Sequence, residues 1–339
     1  MARVAINGLG RIGRATLKIV LDAPDLDLIA ANDLGTSDDV AYLLKYDTVY
    51  GRYEKKVEAT DGSLTVGGHR LVLLREEQPA RLPWKSLAVD IVFECTGAFT
   101  KRADLEDHIR AGARYVILSA PSKSEDVETI VHGVNGPQGH TAIISCASCT
   151  TNCITPVMEI LGRRIGVKKA TMTTVHAYTA SQAIVDTQHK NARRGRAGAA
   201  NLVPTSTGAA AATTRALPEY RGRFEGAAIR APVAVGSLAD IVVLTARATT
   251  VDEVNRVFTE ESATDRYRGV VGVTTDPLVS SDIIKDSRAS VLDLGMTQVV
   301  DGDLVKVMSW YDNEWGYSNQ IVREASRIVT TMERLRVTA

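Results

Sequence analysis

The sequence predicts an α/β protein: a Rossmann-type doubly wound parallel sheet, followed by an α+β domain with a mainly antiparallel sheet. Three observations lead there. The first third of the chain alternates short strands, apolar on both faces, with amphipathic helices, which implies a parallel sheet covered on both sides. A glycine-rich turn joins the first strand directly to the first helix. From about residue 149 the strand-like runs grow longer, alternate more and meet at tight turns, as antiparallel sheets do.

The elements follow in order. Val4 to Asn7 is a strand, and Arg11 to Leu21 repeats apolar residues at Ile12, Ala15, Ile19 and Val20, as an amphipathic helix does. Leu28 to Asn32 is the next strand, and residues 38 to 46 read as a helix. Residues 53 to 74 read as a pair of strands turning at Asp61-Gly62. Asp90 to Glu94 and Tyr115 to Ser119 are near-continuous apolar strands, with a helix from about Arg102 to Ala111 between them. Strand-like runs then cover Lys169 to His176, Ala227 to Ala246, Gly269 to Thr275, and Ser290 to Trp310 with a turn at Asp301-Gly302. Helices are expected over Val251 to Glu261, after Thr207-Gly208, and from Glu314 to about Arg334. That last helix carries Ile321, Val322, Ala325, Ile328, Val329 and Met332 on one face.

At 339 residues the chain is too long for one small core, so two domains are expected. Residues 1–148 form the first, joined by a C-terminal helix over 313–339, and residues 149–312 form the second. The 45% hydrophobic and 24% charged residues are an ordinary globular composition. Lys plus Arg and Asp plus Glu both number 40, so no global field draws the chain to nucleic acid or to an anionic membrane. No leader-like start and no run of about 18 apolar residues occurs, so a cytoplasmic location is expected and no membrane partner. Cys95, Cys146, Cys149 and Cys153 do not resemble a disulfide framework.

Gly8-Leu9-Gly10-Arg11-Ile12-Gly13 fits G-x-G-x-x-G between a strand and a helix. The glycines allow a tight turn and close backbone approach, and the helix N-terminus receives a pyrophosphate. Alone the pattern is weak. Asp33, which ends the second strand 20 residues past Gly13, strengthens it as the acid that meets the adenosine ribose. The bland alternative is a turn residue. A carboxylate there repels a 2′-phosphate, so NAD is expected ahead of NADP.

The run Ser145-Cys146-Ala147-Ser148-Cys149-Thr150-Thr151-Asn152-Cys153 sets a thiol at a helix start, where the helix dipole favours S⁻. His176, at a strand end, is the candidate base that raises the thiolate fraction and takes a proton from the substrate. Its bland alternative is a hydrogen-bonded core histidine. The backbone N–H of Cys149 and the nearby hydroxyls could hold an oxyanion or a phosphate. Cys153 reads as a buried filler and Cys95 as structural. Cys146-x-x-Cys149 admits a redox dithiol, or half of a zinc site, although no second ligand pair at short spacing accompanies it and no metal is expected. The basic run Lys190 to Arg196 is a solvated loop, a weak nucleic-acid patch or a phosphate clamp. Arg230, within a strand, implies an anionic partner. Thr179, Thr207 and Gly208 supply donors of the kind phosphate pockets use.

Together these residues resemble the phosphorylating glyceraldehyde-3-phosphate dehydrogenase family. The resemblance spans nearly the whole chain. It is carried by Asn7 to Arg14, Leu44-Lys45-Tyr46-Asp47, Glu94-Cys95-Thr96-Gly97, Ala147 to Cys153, Pro204 to Ala210 and Trp310 to Tyr317. It implies a catalytic second domain in which Cys149 forms a hemithioacetal with the aldehyde and His176 is the base. Hydride leaves for the nicotinamide, and inorganic phosphate releases the acyl phosphate. The resemblance assigns Ser148, Thr150, Arg194, Thr207 and Gly208 to inorganic phosphate, and Thr179 and Arg230 to the substrate's C3 phosphate. Asn313 would hold the nicotinamide carboxamide. Gly8, Gly10, Arg11, Ile12, Gly13, Asp33, Thr96, Gly97 and Ser119 would line the rest of the cofactor. A homotetramer is implied, with the loop around 178 to 200 at a subunit interface.

The chain also departs from the family pattern. Cys146 stands where Asn is common, which adds a second thiol, and Glu77-Gln78-Pro79 replaces a common Arg-Asp-Pro. Ala180-Ser181-Gln182 replaces Asn-Asp-Gln. Thr187-Gln188 replaces the Leu-Pro of many NAD-specific members and resembles members that accept NADP. The expectation is NAD first, with dual use open. Two other readings stay in view: an erythrose-4-phosphate dehydrogenase of the same fold, and a thiol-based redox-sensing protein.

Overall fold

The computed structural model describes residues 1–138 and 141–337, so the last two residues of the expected C-terminal helix lie outside the described residues. The chain divides into two compact units. One holds residues up to His132, the stretch from Gly136 to Ala147, and residues from Ser318 on; the other holds Gly133–Asn135 and Ser148–Tyr317.

The first unit is built on a nine-stranded sheet. Its order is Glu128–Thr129, Ile143–Ser145, Tyr115–Leu118, Ile91–Glu94, Ala2–Asn7, Leu26–Asn32, His69–Leu74, Ser63–Val66 and Val57–Thr60. The first seven run parallel and the last two are added antiparallel at one edge. From Ala2–Asn7 the chain first moves to one neighbour, Leu26–Asn32, and later to the other, Ile91–Glu94. The carboxyl ends of these strands therefore mark a topological switch point, where doubly wound sheets bind ligands. Helices α1 (Arg11–Val20), α2 (Ser37–Lys45) and α3 (Arg102–Arg110) belong to this unit. Val4, Ile6, Val92, Phe93, Val116 and Ile117 are buried because both faces of their strands are covered.

Residues 53 to 74 differ from expectation. The segment makes three strands, with a second turn at Gly67-Gly68, where φ is +58° and +88°. Only glycine takes these values without strain.

The second unit carries a seven-stranded sheet in the order Val203–Ser206, Phe224–Ala231, Val167–Ala177, Ser237–Thr245, Leu304–Tyr311, Ser290–Val300 and Val271–Thr274. Four of its six pairings are antiparallel. The run read as one strand over 227 to 246 is two strands. Pro232 lacks the N–H a ladder needs, and Gly236, at φ +92°, lies so close to Ser280 that a Cβ would stand 2.0 Å from its carbonyl oxygen. Helices α4 (Cys149–Arg164), α5 (Ala209–Ala216) and α6 (Val251–Ser262) contribute to this unit's core, with Ile154, Met158, Leu161, Ala210 and Phe258 packed against Ile241, Val243 and Val307. The last helix is α7 (Trp315–Val337). No described helix is long and apolar enough to cross a membrane.

Candidate active site and nucleotide cavity

In the first unit the glycine loop forms as its spacing predicts. Gly8 has φ +91°, and a Cβ there would stand 2.7 Å from the backbone N of Thr96. A Cβ on Gly13 would stand 1.9 Å from Gly8 O, so the helix can pack on the loop only without a side chain. Gly10 differs from both: nothing lies within 4 Å of a Cβ built on it, and it caps α1 with no side-chain hydrogen bond. A helix N-terminus beside such a loop is the kind of place that receives an anion.

Beside the loop lies a cavity of about 370 Å³ lined by Gly8, Gly10, Asp33, Leu34, Glu77 and Thr96 among others. Asp33 Oδ2 accepts the Leu9 N–H at 2.7 Å and Oδ1 accepts the Gly35 N–H at 2.9 Å, so the carboxylate is fixed at the cavity wall. Arg11 pairs with Asp47, which holds its side chain beside the N-terminus of α1. Ile12 lies in the first turn. Ser119 donates to Glu94 O at 2.9 Å, and Gly97 follows Thr96 at φ +71°. A cradle shaped by missing side chains, a helix N-terminus and a fixed acid together fit a dinucleotide.

One group behind this cavity escaped the sequence reading. Glu94 is fully buried, accepting from Asn7 Nδ2 at 2.6 Å, His108 Nε2 at 3.0 Å and Thr96 N at 2.8 Å. Trp84 Nε1–H donates to His108 Nδ1 at 3.0 Å, which leaves the His108 proton on Nε2, facing Glu94. The network ties the glycine-loop strand to its neighbours. The sequence showed Glu94 only as an acid closing an apolar strand and as part of the Glu94-Cys95-Thr96-Gly97 motif, with no sign of its partners.

In the second unit Cys149 opens α4, capped by Ser148, whose Oγ accepts the Thr151 N–H at 3.2 Å. Ala147, just before, has φ +53°, a value non-glycine residues rarely take. Cys149 Sγ stands 3.4 Å from His176 Nε2. His176 is the penultimate residue of Val167–Ala177 and lies opposite Arg230 across two parallel strands. Its Nδ1 is 2.7 Å from Ala177 O and 2.7 Å from Arg230 Nη1, and that Nη1 donates to Ala177 O at 3.0 Å. Behind the ring, Tyr311 sits edge-on at 6.0 Å, its hydroxyl bonded to Thr150 at 2.9 Å and Thr174 at 2.7 Å.

Burial pushes the Cys149 thiol up, against the pull of Arg230 and of the Thr150 hydroxyl and N–H. Burial also pushes His176 down to about 3, helped by Arg230 and Arg194 and opposed by the bond to Ala177 O. The Arg230 guanidinium hydrogen-bonds His176 and Ala177, and its buried Nε has no protein partner.

The remaining site residues lie in the same unit. Arg194, in a short helical turn, donates to Thr205 Oγ1 at 3.1 Å and Ser206 O at 3.4 Å, and its charge acts on both His176 and Arg230. Thr207 accepts the Ala209 N–H at 3.2 Å, and Gly208 caps α5. Thr179 bonds Ser181 at 2.9 Å. Asn313 is buried, its Oδ1 accepting from Ser237 Oγ at 3.0 Å and Gly236 N at 3.2 Å, so its NH₂ is the end a ligand can use. Cys153 is buried in the core with its sulfur 3.9 Å from Ser290 Oγ. Among the described residues no group of three or more His, Cys, Asp or Glu is arranged to hold a metal ion.

Comparison with known proteins agrees with this geometry. Residues 2–102 match the model for the NAD binding domain of glyceraldehyde 3-phosphate dehydrogenase, and residues 148–313 match its C-terminal domain. A Streptomyces coelicolor protein named glyceraldehyde-3-phosphate dehydrogenase is 48% identical over 325 residues, 94% of this chain and 96% of its own length. One of that name from Thermotoga maritima is 48% identical over 327 residues, covering 95% and 97%. One from Geobacillus stearothermophilus is 44% identical over 332 residues, covering 97% and 98%. The chain has the NAD-binding Rossmann fold and the mainly antiparallel second sheet that the sequence predicted, and it belongs to the glyceraldehyde 3-phosphate dehydrogenase family.

Proposed function

We propose that the chain oxidises D-glyceraldehyde 3-phosphate to 1,3-bisphosphoglycerate, using inorganic phosphate and NAD. The observation that carries this reading is the 3.4 Å contact of Cys149 Sγ with His176 Nε2, with Arg230 and Arg194 acting on the same ring. Cys149 attacks the aldehyde carbon as its proton passes through His176 to the new hydroxyl, giving the hemithioacetal. Donors at the head of α4 stabilise the developing oxyanion. NAD, when bound, supplies the hydride acceptor. His176 takes the hydroxyl proton as the C1–H bond breaks, and a thioester remains on Cys149. Inorganic phosphate then attacks the thioester carbon and the sulfur leaves.

Arg230 and Thr179 hold the C3 phosphate in this reading, while Arg194, Ser148, Thr150, Thr207 and Gly208 receive inorganic phosphate. Gly8, Gly10, Arg11, Ile12, Gly13, Asp33, Thr96, Gly97 and Ser119 hold the dinucleotide, and the Asn313 NH₂ meets the nicotinamide carboxamide. Asp33 favours NAD over NADP by charge. A homotetramer is part of the proposal, supported by the exposure of Ile184, Val185 and Leu202 in and beside the 178–200 loop. So is a cytoplasmic location, where a catalytic thiol stays reduced. The test is NADH formation from glyceraldehyde 3-phosphate with and without phosphate or arsenate. Turnover that needs the oxyanion supports the reading. Turnover indifferent to it points to a hydrolytic erythrose-4-phosphate type enzyme, and none from thiol-reduced protein points to a redox sensor.

A further inference from the structure

Behind the nucleotide cavity the protons around Glu94 can be placed, because unambiguous donors stand at both ends of its network. The Glu76 N–H donates to Asn32 Oδ1 at 2.8 Å. The Asn32 NH₂ therefore faces Asn7 Oδ1 at 2.7 Å, and the Asn7 NH₂ faces Glu94 Oε2 at 2.6 Å. The indole N–H of Trp84 fills His108 Nδ1, so that ring is neutral and donates from Nε2 to the same Oε2 at 3.0 Å. The Thr96 N–H donates to Oε1 at 2.8 Å. The Thr96 hydroxyl accepts the Ala98 N–H at 3.1 Å and turns its own proton to Oε1. A carboxylate satisfies all four donors, whereas a proton on Glu94 would be a fifth among them. Glu94 thus carries a full negative charge in the core, and every partner it has is neutral. Neutral donors offset only part of the cost of taking a carboxylate out of water.

We propose that Glu94 selects the oxidation state of the cofactor: its buried charge favours the oxidised nicotinamide, a cation, over the neutral reduced ring. The inference rests on the reading of the cavity as a dinucleotide site. In that reading Asp33, just past Leu26–Asn32, takes the adenosine ribose, and the N-terminus of α1, which follows Ala2–Asn7, takes the pyrophosphate. The nicotinamide half then continues toward the other neighbour of Ala2–Asn7, the strand Ile91–Glu94 that Glu94 closes. Cys95, Thr96, Ala98 and Phe99 line the cavity after that strand, and the carboxylate is bonded to the Thr96 N–H behind them. Asp33, Glu76 and Glu77 line the adenosine side, and the described lining includes no Lys or Arg to neutralise Glu94. A charge kept from water is screened less than a surface one and acts over a longer range. Hydride transfer removes the charge of the ring, so the reduced cofactor loses an attraction that held the oxidised one, and its release is favoured.

The experiment measures the Kd of NAD and of NADH by calorimetry on the full enzyme, in wild type, Glu94→Gln and Glu94→Asp. The ratio of the NADH Kd to the NAD Kd should fall by about fivefold or more in Glu94→Gln. Glu94→Asp keeps the charge, so its ratio should stay within about twofold of wild type even where both forms bind more weakly. A merely structural role would weaken both forms alike, since adenosine and pyrophosphate are common to them. Glu94→Gln sets an NH₂ against the donors of Asn7 and His108, so a second variant, Glu94→Gln with His108→Glu, guards against misfolding. Its new carboxylate accepts from Trp84 and from the amide at position 94, on the far side of the network. The ratio there should fall in the same direction, by less. An unchanged or raised ratio in both amide variants, or an equal fall in Glu94→Asp, overturns the inference. With both dinucleotides bound and glyceraldehyde 3-phosphate still turned over, that result leaves the function standing. Failure of the wild-type enzyme to bind either dinucleotide removes the function and the inference together.

Discussion

Arg230 and His176 face each other across two parallel strands, and the guanidinium stands 2.7 Å from the ring nitrogen that points away from Cys149. The base is therefore oriented by a cation and a backbone carbonyl rather than by a carboxylate. Burial, helped by the Arg230 charge and opposed by the bond to Ala177 O, pushes the ring down to about 3. A neutral imidazole is the form a base needs. His176→Asn should slow hydride release in a single turnover by roughly 10²–10⁴-fold, the usual contribution of a positioned acid–base group. Stopped-flow measurement of NADH formation reads it directly, and a near-normal rate would place the base elsewhere.

Cofactor choice follows from Asp33. The wild-type chain should show a kcat/KM for NAD at least about tenfold above that for NADP, equal to about 1.4 kcal/mol of discrimination. Asp33→Asn keeps an oxygen for the Leu9 N–H but removes the charge, so the preference should narrow. Steady-state kinetics with both cofactors check this. A preference for NADP in the wild-type chain would show that Thr187-Gln188 outweighs the carboxylate.

Gly13→Ala should separate the nucleotide site from the thiol site. The added methyl would lie 1.9 Å from Gly8 O, and relieving that clash costs about 1–3 kcal/mol or forces the loop open. NAD affinity, followed by protein fluorescence, should fall by about tenfold or more. Cys149 alkylation in the absence of cofactor should not change. Wild-type affinity in the variant would show that α1 can move off the loop.

Acid should weaken the C-terminal helix's anchorage in the first unit. Burial opposes ionisation of Glu324, but bonds from His132 at 3.0 Å and Arg327 at 2.7 Å outweigh it and hold the carboxyl below its ordinary value of 4.5. A depressed folded pKa gives stability that is present above the unfolded value and lost as pH falls through the folded one. Melting temperature should therefore drop below about pH 4.5. Glu324→Gln should lose about 3 kcal/mol at neutral pH and show a shallower acid limb. Equal acid limbs would assign the loss to other groups.

Much of this molecule was legible in its sequence because local rules govern it. The glycine loop, the capped start of α4 at Ser148 and the turn at Asp301-Gly302 are set by backbone geometry within a few residues. The misread stretches had local signals too: Pro232 and Gly236 divide the run over 227 to 246, and Gly67-Gly68 adds a strand before 74. Non-local register was not legible. Nothing in the sequence sets Arg230 opposite His176, or joins Glu94 to Asn7 and His108. Burial was invisible as well: the dipole argument at Cys149 did not include the desolvation that pushes its thiol up.

The central claim is that Cys149 carries the substrate as a thioester until phosphate removes it. Rapid-quench intact mass spectrometry of phosphate-free enzyme, mixed with glyceraldehyde 3-phosphate and NAD, tests it most directly. The account predicts one 3-phosphoglyceroyl group per chain, located on Cys149 by peptide mapping and released on adding inorganic phosphate. No adduct, an adduct on Cys146 or Cys153, or a release rate indifferent to phosphate would contradict it.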